Sequence, residues 1–335
     1  MAAETVSGED EKLHSPGSAA NWRESYYFGF NGEAGQTGMA YISLSPNQGF
    51  VVRMILLLMP DAGGTLVHIQ RSPLPKLTEV VLTEGDLQFH CLEPLLRWQL
   101  RAEAVCLCIP PTEEISSALP AAQAGAGAWQ RVPVAFDLCF ETRMPAYRYP
   151  TGAADFLGND QEHFEQMGCV TGRLRIGSTG DSLVAPAARD RSWGVRNWLR
   201  PEWYSWMHLN FGPDLLIGAV IGRAEGHETS SGFVYQGGLF QPVLRVDLEA
   251  DRDPHDLHLR SGRARIVTGQ AQTLDLDFDP LSFFHIILAR EGGEQSHDSV
   301  TALACRYGEH LGRGLLEGER REPMPSRAPG VTGLW

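Results

Sequence analysis

The fold class is decided by Arg131-Val132-Pro133-Val134-Ala135-Phe136-Asp137-Leu138-Cys139-Phe140-Glu141-Thr142. Large apolar side chains occupy every second position of this stretch, from Val132 to Phe140. A period of two is that of a β-strand with one face in an apolar core. The stretch therefore predicts a half-buried strand.

Similar short apolar runs continue on both sides of this strand. Tyr26–Phe30 ends at the turn dipeptide Asn31-Gly32, and Gly49–Met59 follows. The downstream runs recur about every 8–12 residues, the spacing of sandwiches and barrels. Helical patterns are scarce, and 36 glycines and 21 prolines suit many turns. We therefore predict a mostly β protein of two antiparallel β-barrels or curled sheets packed together, with under about a fifth of residues in helices.

The length of 335 residues predicts two domains at roughly 100–200 residues each. Thr142–Glu162, which is polar and contains two prolines, is the predicted connection. The expected organisation has a polar disordered tail at 1–21, an N-terminal β domain at 22–150, a C-terminal β domain at 151–315, and a flexible tail at 316–335.

Charge and patterning restrict the partners. A net charge of −13 disfavours nucleic acid and anionic membranes. The longest apolar run, Val51–Pro60, is interrupted by Arg53 and is far below the ~20 residues of a membrane span. The N-terminus lacks a basic start and a hydrophobic run, so we expect a cytoplasmic protein with no membrane insertion and with six cysteine thiols.

Motifs for nucleotide cofactors, for a serine-hydrolase elbow and for zinc proteases are missing from the sequence. Cys106 and Cys108 have no partner pair at zinc-ligand spacing, and His255 and His258 lie in a polar stretch typical of a hairpin turn. The expectation is therefore no cofactor and no metal.

The segment Arg189–Trp206 is the main candidate site. Between Arg189 and Arg200 it holds four arginines and one acid, Asp190, in a chain that is otherwise acidic. The whole segment concentrates aromatic side chains: Trp193, Trp198, Trp203, Tyr204 and Trp206. Arginine beside indole can line an apolar pocket that tolerates a cation. The structural alternative is an Arg–Asp salt bridge that closes a β-corner.

The second candidate is His163-Phe164-Glu165-Gln166. In an extended chain His163 and Glu165 share one face. Such a pair can act as an acid or base. The alternative interpretation is a polar strand start with solvent-facing side chains.

These residues resemble the AttH-like and carotenoid-hydratase-like superfamily. The resemblance rests on His163–Gln166, on Arg189-Asp190-x-Ser192-Trp193-Gly194 and on Trp203-x-x-Trp206, with weaker matches at Ser25–Phe28 and Leu92-x-Pro94-x-x-x-Trp98. More narrowly, the sequence is similar to bacterial two-domain members that carry His-[Tyr/Phe]-Glu-Gln before Arg-Asp-x-Ser-Trp-Gly.

The resemblance implies two lipocalin-like barrels and an apolar cavity. Characterised relatives hydrate isoprenoid double bonds by acid catalysis, or cyclise polyketides, without an organic cofactor. The sequence departs from the hydratases, which tend to have His where Arg191 stands and a Tyr/Asp pair farther downstream, where Leu216–Ile221 contains no acid. The hydratase proton donor is therefore not carried over.

Two functions remain open. The favoured one is a cofactor-independent enzyme, a lyase (hydratase or dehydratase) or an isomerase or cyclase, that acts on a terpenoid-, steroid- or polyketide-like molecule. Asp190, His163 and Glu165 would move the proton, and Arg191 would tune it. Arg189 and the aromatic residues would bind substrate, with Arg196 or Arg200 as the expected partner of Asp190. The alternative is a non-catalytic lipocalin-like carrier of a hydrophobic ligand.

Overall fold

The computed structural model describes residues 5–33, 35–59, 64–74, 76–110, 129–150, 161–195, 200–252, 259–289 and 294–323. These residues form eighteen strands, one short 3-10 helix at Gly8–Glu11 and one short α-helix at Val80–Thr83. The prediction of a mostly β fold with little helix is confirmed. In this described part of the chain no helix is long and apolar enough to cross a membrane.

The first unit is a curled antiparallel sheet of ten strands. Its strands are β1 (Trp22–Asn31), β2 (Thr37–Ser45), β3 (Phe50–Met59), β4 (Gly64–Pro73), β5 (Leu87–Glu93), β6 (Arg97–Ile109), β7 (Gln130–Thr142), β8 (Tyr147–Arg148), β9 (Gln161–Ile176) and β10 (Thr179–Val195). Strand β10 pairs with both β1 and β9, so the sheet curls back on itself.

The second unit is a closed eight-stranded antiparallel barrel. Its strands are β11 (Trp203–Asn210), β12 (Leu215–Ala224), β13 (His227–Gln236), β14 (Leu239–Arg252), β15 (Leu259–Thr268), β16 (Thr273–Ala289), β17 (Glu294–Tyr307) and β18 (His310–Pro323). Each strand pairs with the next in sequence, and β18 pairs with β11 to close the ring.

Each unit is filled by its own apolar core. The stretch that decides the fold class is β7, and Val134, Phe136, Leu138 and Phe140 are buried inside the curled sheet. A separate core that includes Ile217 fills the barrel. Two further apolar clusters lie where the sheet meets the barrel. The interface between the two units, which we call the seam, therefore has an apolar core of its own, made of these two clusters.

The domain limits differ from those predicted. Strands β9 and β10 complete the curled sheet, so the division falls between Val195 and Trp203 instead of at 150/151. The predicted tail at 1–21 is wrong for residues 5–21, because Glu11 is buried and ion-paired with Arg189. The predicted tail at 316–335 is wrong for residues 316–323, which belong to β18.

Candidate functional site

The hairpin of β9 and β10 brings the two candidate segments together. The strands are joined by the two residues Gly177 and Ser178, and Gly177 has a φ of 58°. A two-residue loop fixes the pairing register. It sets Asp190 opposite Glu165, and on its other side Asp190 lies opposite Tyr27 of β1. These three residues form a row across three strands.

His163 joins the two carboxylates of this row. Its Nε2 lies 2.5 Å from Asp190 Oδ2 and 3.3 Å from Glu165 Oε1. The Tyr149 ring stacks on the imidazole, with 4.7 Å between ring centroids and an interplanar angle of 5°. Because His163 is mostly buried and contacts Asp190, Glu165 and the Tyr149 ring, its imidazole is held in one orientation.

The barrel completes the contacts of Glu165. Trp206 of β11 donates its Nε1–H to Glu165 Oε1 over 2.7 Å, and His208 Nε2 lies 3.0 Å from Glu165 Oε2. The Glu165 carboxylate is fully buried. A Cβ on Gly218 of β12 would lie 2.8 Å from Glu165 Oε2, so a glycine is needed there. One carboxylate thus links both units.

Glu317 of β18 adds a second acid to the seam. It is the pairing partner of Trp206, and its side chain interacts with the Tyr27 hydroxyl. Burial raises the pKa of the Glu317 carboxyl to about 7, and the negative charge of Asp190 adds to this. The nearby Tyr27 hydroxyl and His208 oppose the shift. Near neutral pH a substantial fraction of Glu317 therefore carries its proton.

Two tyrosines of the seam remain neutral. Burial raises the pKa of Tyr27 well above its usual value, and Glu317, Asp190 and Glu165 raise it further. Burial and Glu165 do the same to the pKa of Tyr149. Both hydroxyls are therefore hydrogen-bond donors, not proton sources, at neutral pH.

Arg189 and Arg191 lie on the opposite face of β10 from Asp190. Arg189 pairs with Glu11 and contacts Gln166, while Arg191 pairs with Glu24 and lies 3.9 Å over the Tyr26 ring. Both guanidinium groups are buried within the first unit. They hold the N-terminal segment in place and do not reach the Asp190 side of the strand.

The contact that the structure shows for Asp190 is with the imidazole of His163. Arg200 instead faces Glu225, 3.4 Å away. Arg196 and Trp198 lie outside the described residues.

Trp206 is the predicted aromatic residue that the structure shows in contact with the acid–base groups. Trp193 stacks on His14, with 3.9 Å between ring centroids, on the far side of β10. Trp203 packs against the barrel core. Tyr204 packs against the apolar cluster of the seam, beside Tyr147. The indole-rich segment is therefore divided among three environments.

A narrow cleft runs along the seam next to these groups. Its lining includes Gly29, Ala188, His208, Asn210 and Leu315. Its free volume is about 10 Å³, which is near the size of one water molecule. No group of three or more potential metal ligands with suitable geometry occurs among the residues that the structure describes.

The two packed lipocalin-like units give the chain a double lipocalin-like fold, which it shares with three solved structures. A protein of Nitrosomonas europaea assigned as an AttH (NE1406) superimposes with a TM-score of 0.64 at 12% identity, covering 95% of this chain and 97% of that one. CghA gives 0.59 at 12%, covering 97% of each chain. Kievitone hydratase from Nectria haematococca gives 0.56 at 13%, covering 95% and 93%. The resemblance inferred from the sequence is confirmed at the level of the fold.

The chain belongs to the family described as a domain of unknown function, DUF7064, whose model matches residues 7–322. That match spans both units. A search of curated proteins finds no match.

Proposed function

We propose that this chain is an enzyme that hydrates a carbon–carbon double bond of a hydrophobic small molecule, or catalyses the reverse dehydration, by acid–base chemistry in the seam. One observation carries the proposal: Glu317, with a pKa of about 7, shares a buried site with the His163–Asp190 pair. Perturbed titratable groups in a shielded site are typical of catalytic centres. Kievitone hydratase, a hydratase by name, has the same fold.

In the hydration direction Glu317 gives its proton to one alkene carbon, and the cation forms at the other. The faces of Trp206 and Tyr27, which lie 5.4 Å apart by ring centroids, stabilise that cation. Water attacks the cation and passes its proton to His163, which Asp190 and Glu165 hold in orientation. Proton exchange with solvent then restores both groups. Side chains supply every proton transfer, so the proposed reaction needs no cofactor.

The acid comes from a different strand than in the hydratases that the sequence resembles. Strand β12 carries Leu216–Ile221 and no acid, whereas Glu317 lies on β18, directly across from Trp206. The same protonation would begin an isomerisation or cyclisation if the cation lost another proton instead of taking up water.

The test is incubation with prenylated phenols and acyclic terpenes in ¹⁸O-labelled water, followed by mass spectrometry. Uptake of labelled water by the wild type, its loss in Glu317→Gln and its retention in the exposed control Glu309→Gln are expected. Ligand that co-purifies or binds but always returns unchanged would refute the enzyme and favour the carrier. Products of unchanged mass would indicate isomerisation or cyclisation.

A further inference from the structure

In the side-chain amide of Asn210, the oxygen has a hydrogen-bond partner among the described residues and the nitrogen has none. Asn210 is the last residue of β11, is 5% exposed, and lines the seam cleft. Its Oδ1 accepts a hydrogen bond from the Gly212 backbone N–H over 3.0 Å. Its Nδ2 is buried and has no acceptor in the described part of the chain. A buried donor without an acceptor is destabilising, so its retention needs a reason.

In Asn31, which also lines the cleft, both the nitrogen and the oxygen of the side-chain amide are hydrogen-bonded. Its Nδ2 donates to the carbonyls of Leu303 and Gly314, over 3.0 and 2.8 Å, and its Oδ1 accepts from the Thr37 hydroxyl over 3.0 Å. Two asparagines of one cleft therefore differ. Asn31 ties the sheet to the barrel, whereas Asn210 presents a fixed donor without an acceptor.

A second donor lies at the same end of the cleft. Arg313 of β18 is the pairing partner of Asn210 and also lines the cleft. Its Nη2 donates to the Glu33 carbonyl over 3.2 Å, and no carboxylate of the described residues forms an ion pair with it. Although the chain has a net charge of −13, this end of the cleft presents two hydrogen-bond donors, Asn210 and Arg313, and no carboxylate of the described residues pairs with either.

The donors lie in line with the acid–base cluster. Trp206, His208 and Asn210 alternate along β11 and so share one face. Two residues of a strand span roughly 7 Å, which places Asn210 about 7 Å from His208 and about twice that from Trp206. Between the ends the cleft is lined by apolar groups and glycine, including Gly29 and Leu315.

We infer that the Asn210–Arg313 end of the cleft binds an acceptor oxygen, a carbonyl or a carboxylate, at one end of the hydrophobic substrate. The free volume of about 10 Å³ suits a single oxygen-sized group there. The apolar body of the molecule would have to displace seam side chains between this oxygen and His208, because the free volume there holds only one oxygen-sized group. The identification of the bound molecule as a substrate rests on the proposed function, whereas the binding does not.

The test uses three matched probes, farnesene, farnesal and farnesoic acid, and measures each Kd by isothermal titration calorimetry. The wild type is expected to bind the two oxygenated probes at least about tenfold more tightly than the hydrocarbon, a difference of about 1.4 kcal/mol. Asn210→Ala should abolish that preference without changing the Kd of farnesene. Preference for the acid alone, lost in Arg313→Gln, assigns a carboxylate; equal preference assigns a carbonyl.

Two further variants guard against misfolding. Asn210→Asp keeps the acceptor for Gly212 and should fold, yet it replaces the donor by a negative charge and should weaken the acid most. Thr301→Val removes another buried polar atom of the barrel that has no hydrogen-bond partner among the described residues, and it should change no Kd. A preference that persists in both Asn210 variants, or is absent from the wild type, would overturn the inference.

The binding result is separable from the chemistry. Glu317→Gln should retain the preference for oxygenated probes while losing turnover. If Glu317→Gln stays active but Asn210→Ala loses the preference, the oxygen subsite stands and the proposed proton donor is wrong. The converse result would remove the subsite and leave the acid in place.

Discussion

His208 of the barrel lies 3.0 Å from Glu165 of the curled sheet, measured from Nε2 to Oε2. The same carboxylate accepts the Trp206 indole N–H from the barrel and contacts His163 from its own strand. A fully buried carboxylate is stable only when donors surround it. The two units therefore supply the donors of Glu165 jointly, and its full set of contacts forms where they pack together.

Gly218→Ala should disturb this junction. The new Cβ would lie 2.5 Å from the Phe233 ring and 2.8 Å from Glu165 Oε2, so one of them must move. We expect a loss of about 1–3 kcal/mol in unfolding free energy, measured by urea denaturation, because overpacking a core costs about that much. Gly180→Ala, whose nearest atom would be 3.6 Å away, should change little. Equal stability of the two variants would show that the space at Gly218 is not needed.

Asp190→Asn should abolish most catalysis while leaving the fold nearly intact. The change keeps the size of the side chain but removes the negative charge beside His163 Nε2. Loss of an oriented acid–base group typically lowers kcat by about 10²–10⁴-fold. Turnover and ligand binding should be measured together, with the exposed Asp181→Asn as control. Full activity of Asp190→Asn would mean that this carboxylate is only structural.

Glu317 should make stability fall as the pH rises from 4.5 through 7, and activity fall as the pH rises above about 7. Its folded-state pKa of about 7 lies above the unfolded value of 4.5, because burial favours the neutral acid. The stabilisation is present below pH 4.5 and is lost as the pH rises through 7, by about 3 kcal/mol. Urea unfolding of wild type and Glu317→Gln across this range isolates the contribution.

The rate should decline above about pH 7 in the same experiment series, because the donor is then ionised. A stability difference between wild type and Glu317→Gln that does not change from pH 4.5 to 7 would contradict the raised pKa.

Glu11→Gln should destabilise the protein strongly, although Glu11 belongs to the N-terminal segment. Its carboxylate is buried and accepts from Arg189, the Leu95 backbone N–H and the Trp98 indole. Removing one partner of a buried ion pair leaves the other charge uncompensated, at a cost of about 3–5 kcal/mol. Thermal or urea unfolding measures the loss. Glu9→Gln is the matched control, because Glu9 is 80% exposed and pairs with the exposed Lys12.

The pH dependence of this pair has the opposite sign to that of Glu317. Burial raises the pKa of Glu11, but the charge and hydrogen bonds of Arg189 outweigh it and lower the pKa below 4.5. Its stabilisation is therefore present above pH 4.5 and is lost as the pH falls through the folded-state pKa. If the wild type and Glu11→Gln are equally stable at pH 7, the pair contributes nothing.

The β architecture could be predicted because the alternation from Val132 to Phe140 is set by local geometry. The same period of two also predicts that Arg189 and Arg191 face away from Asp190, as they do. The partner of Asp190 was not predictable from neighbouring residues, because His163 reaches it across a strand pair. Yet Gly177-Ser178, a two-residue turn between two extended segments, was an available signal. Recognising that turn would have merged the two candidate segments into one site.

His208 and Glu317 were harder to predict as site residues from the sequence. His208 lies between Met207 and Leu209, in a strand that reads as apolar core, and Glu317 fell within the segment predicted to be a flexible tail. Their roles depend on β11 and β18 being neighbours in a closed barrel, which involves residues more than a hundred positions apart. Composition and local pattern carry no information about that pairing.

The seam has a consequence for how such chains can diverge. Tyr27, Asp190 and Glu165 come from one unit, and His208 and Glu317 from the other. A recombinant that exchanged the barrel between two relatives would bring together mismatched halves of the proposed catalytic centre. Substitutions on either side must therefore be inherited as compatible sets, and drift in one unit constrains which changes the other can accept.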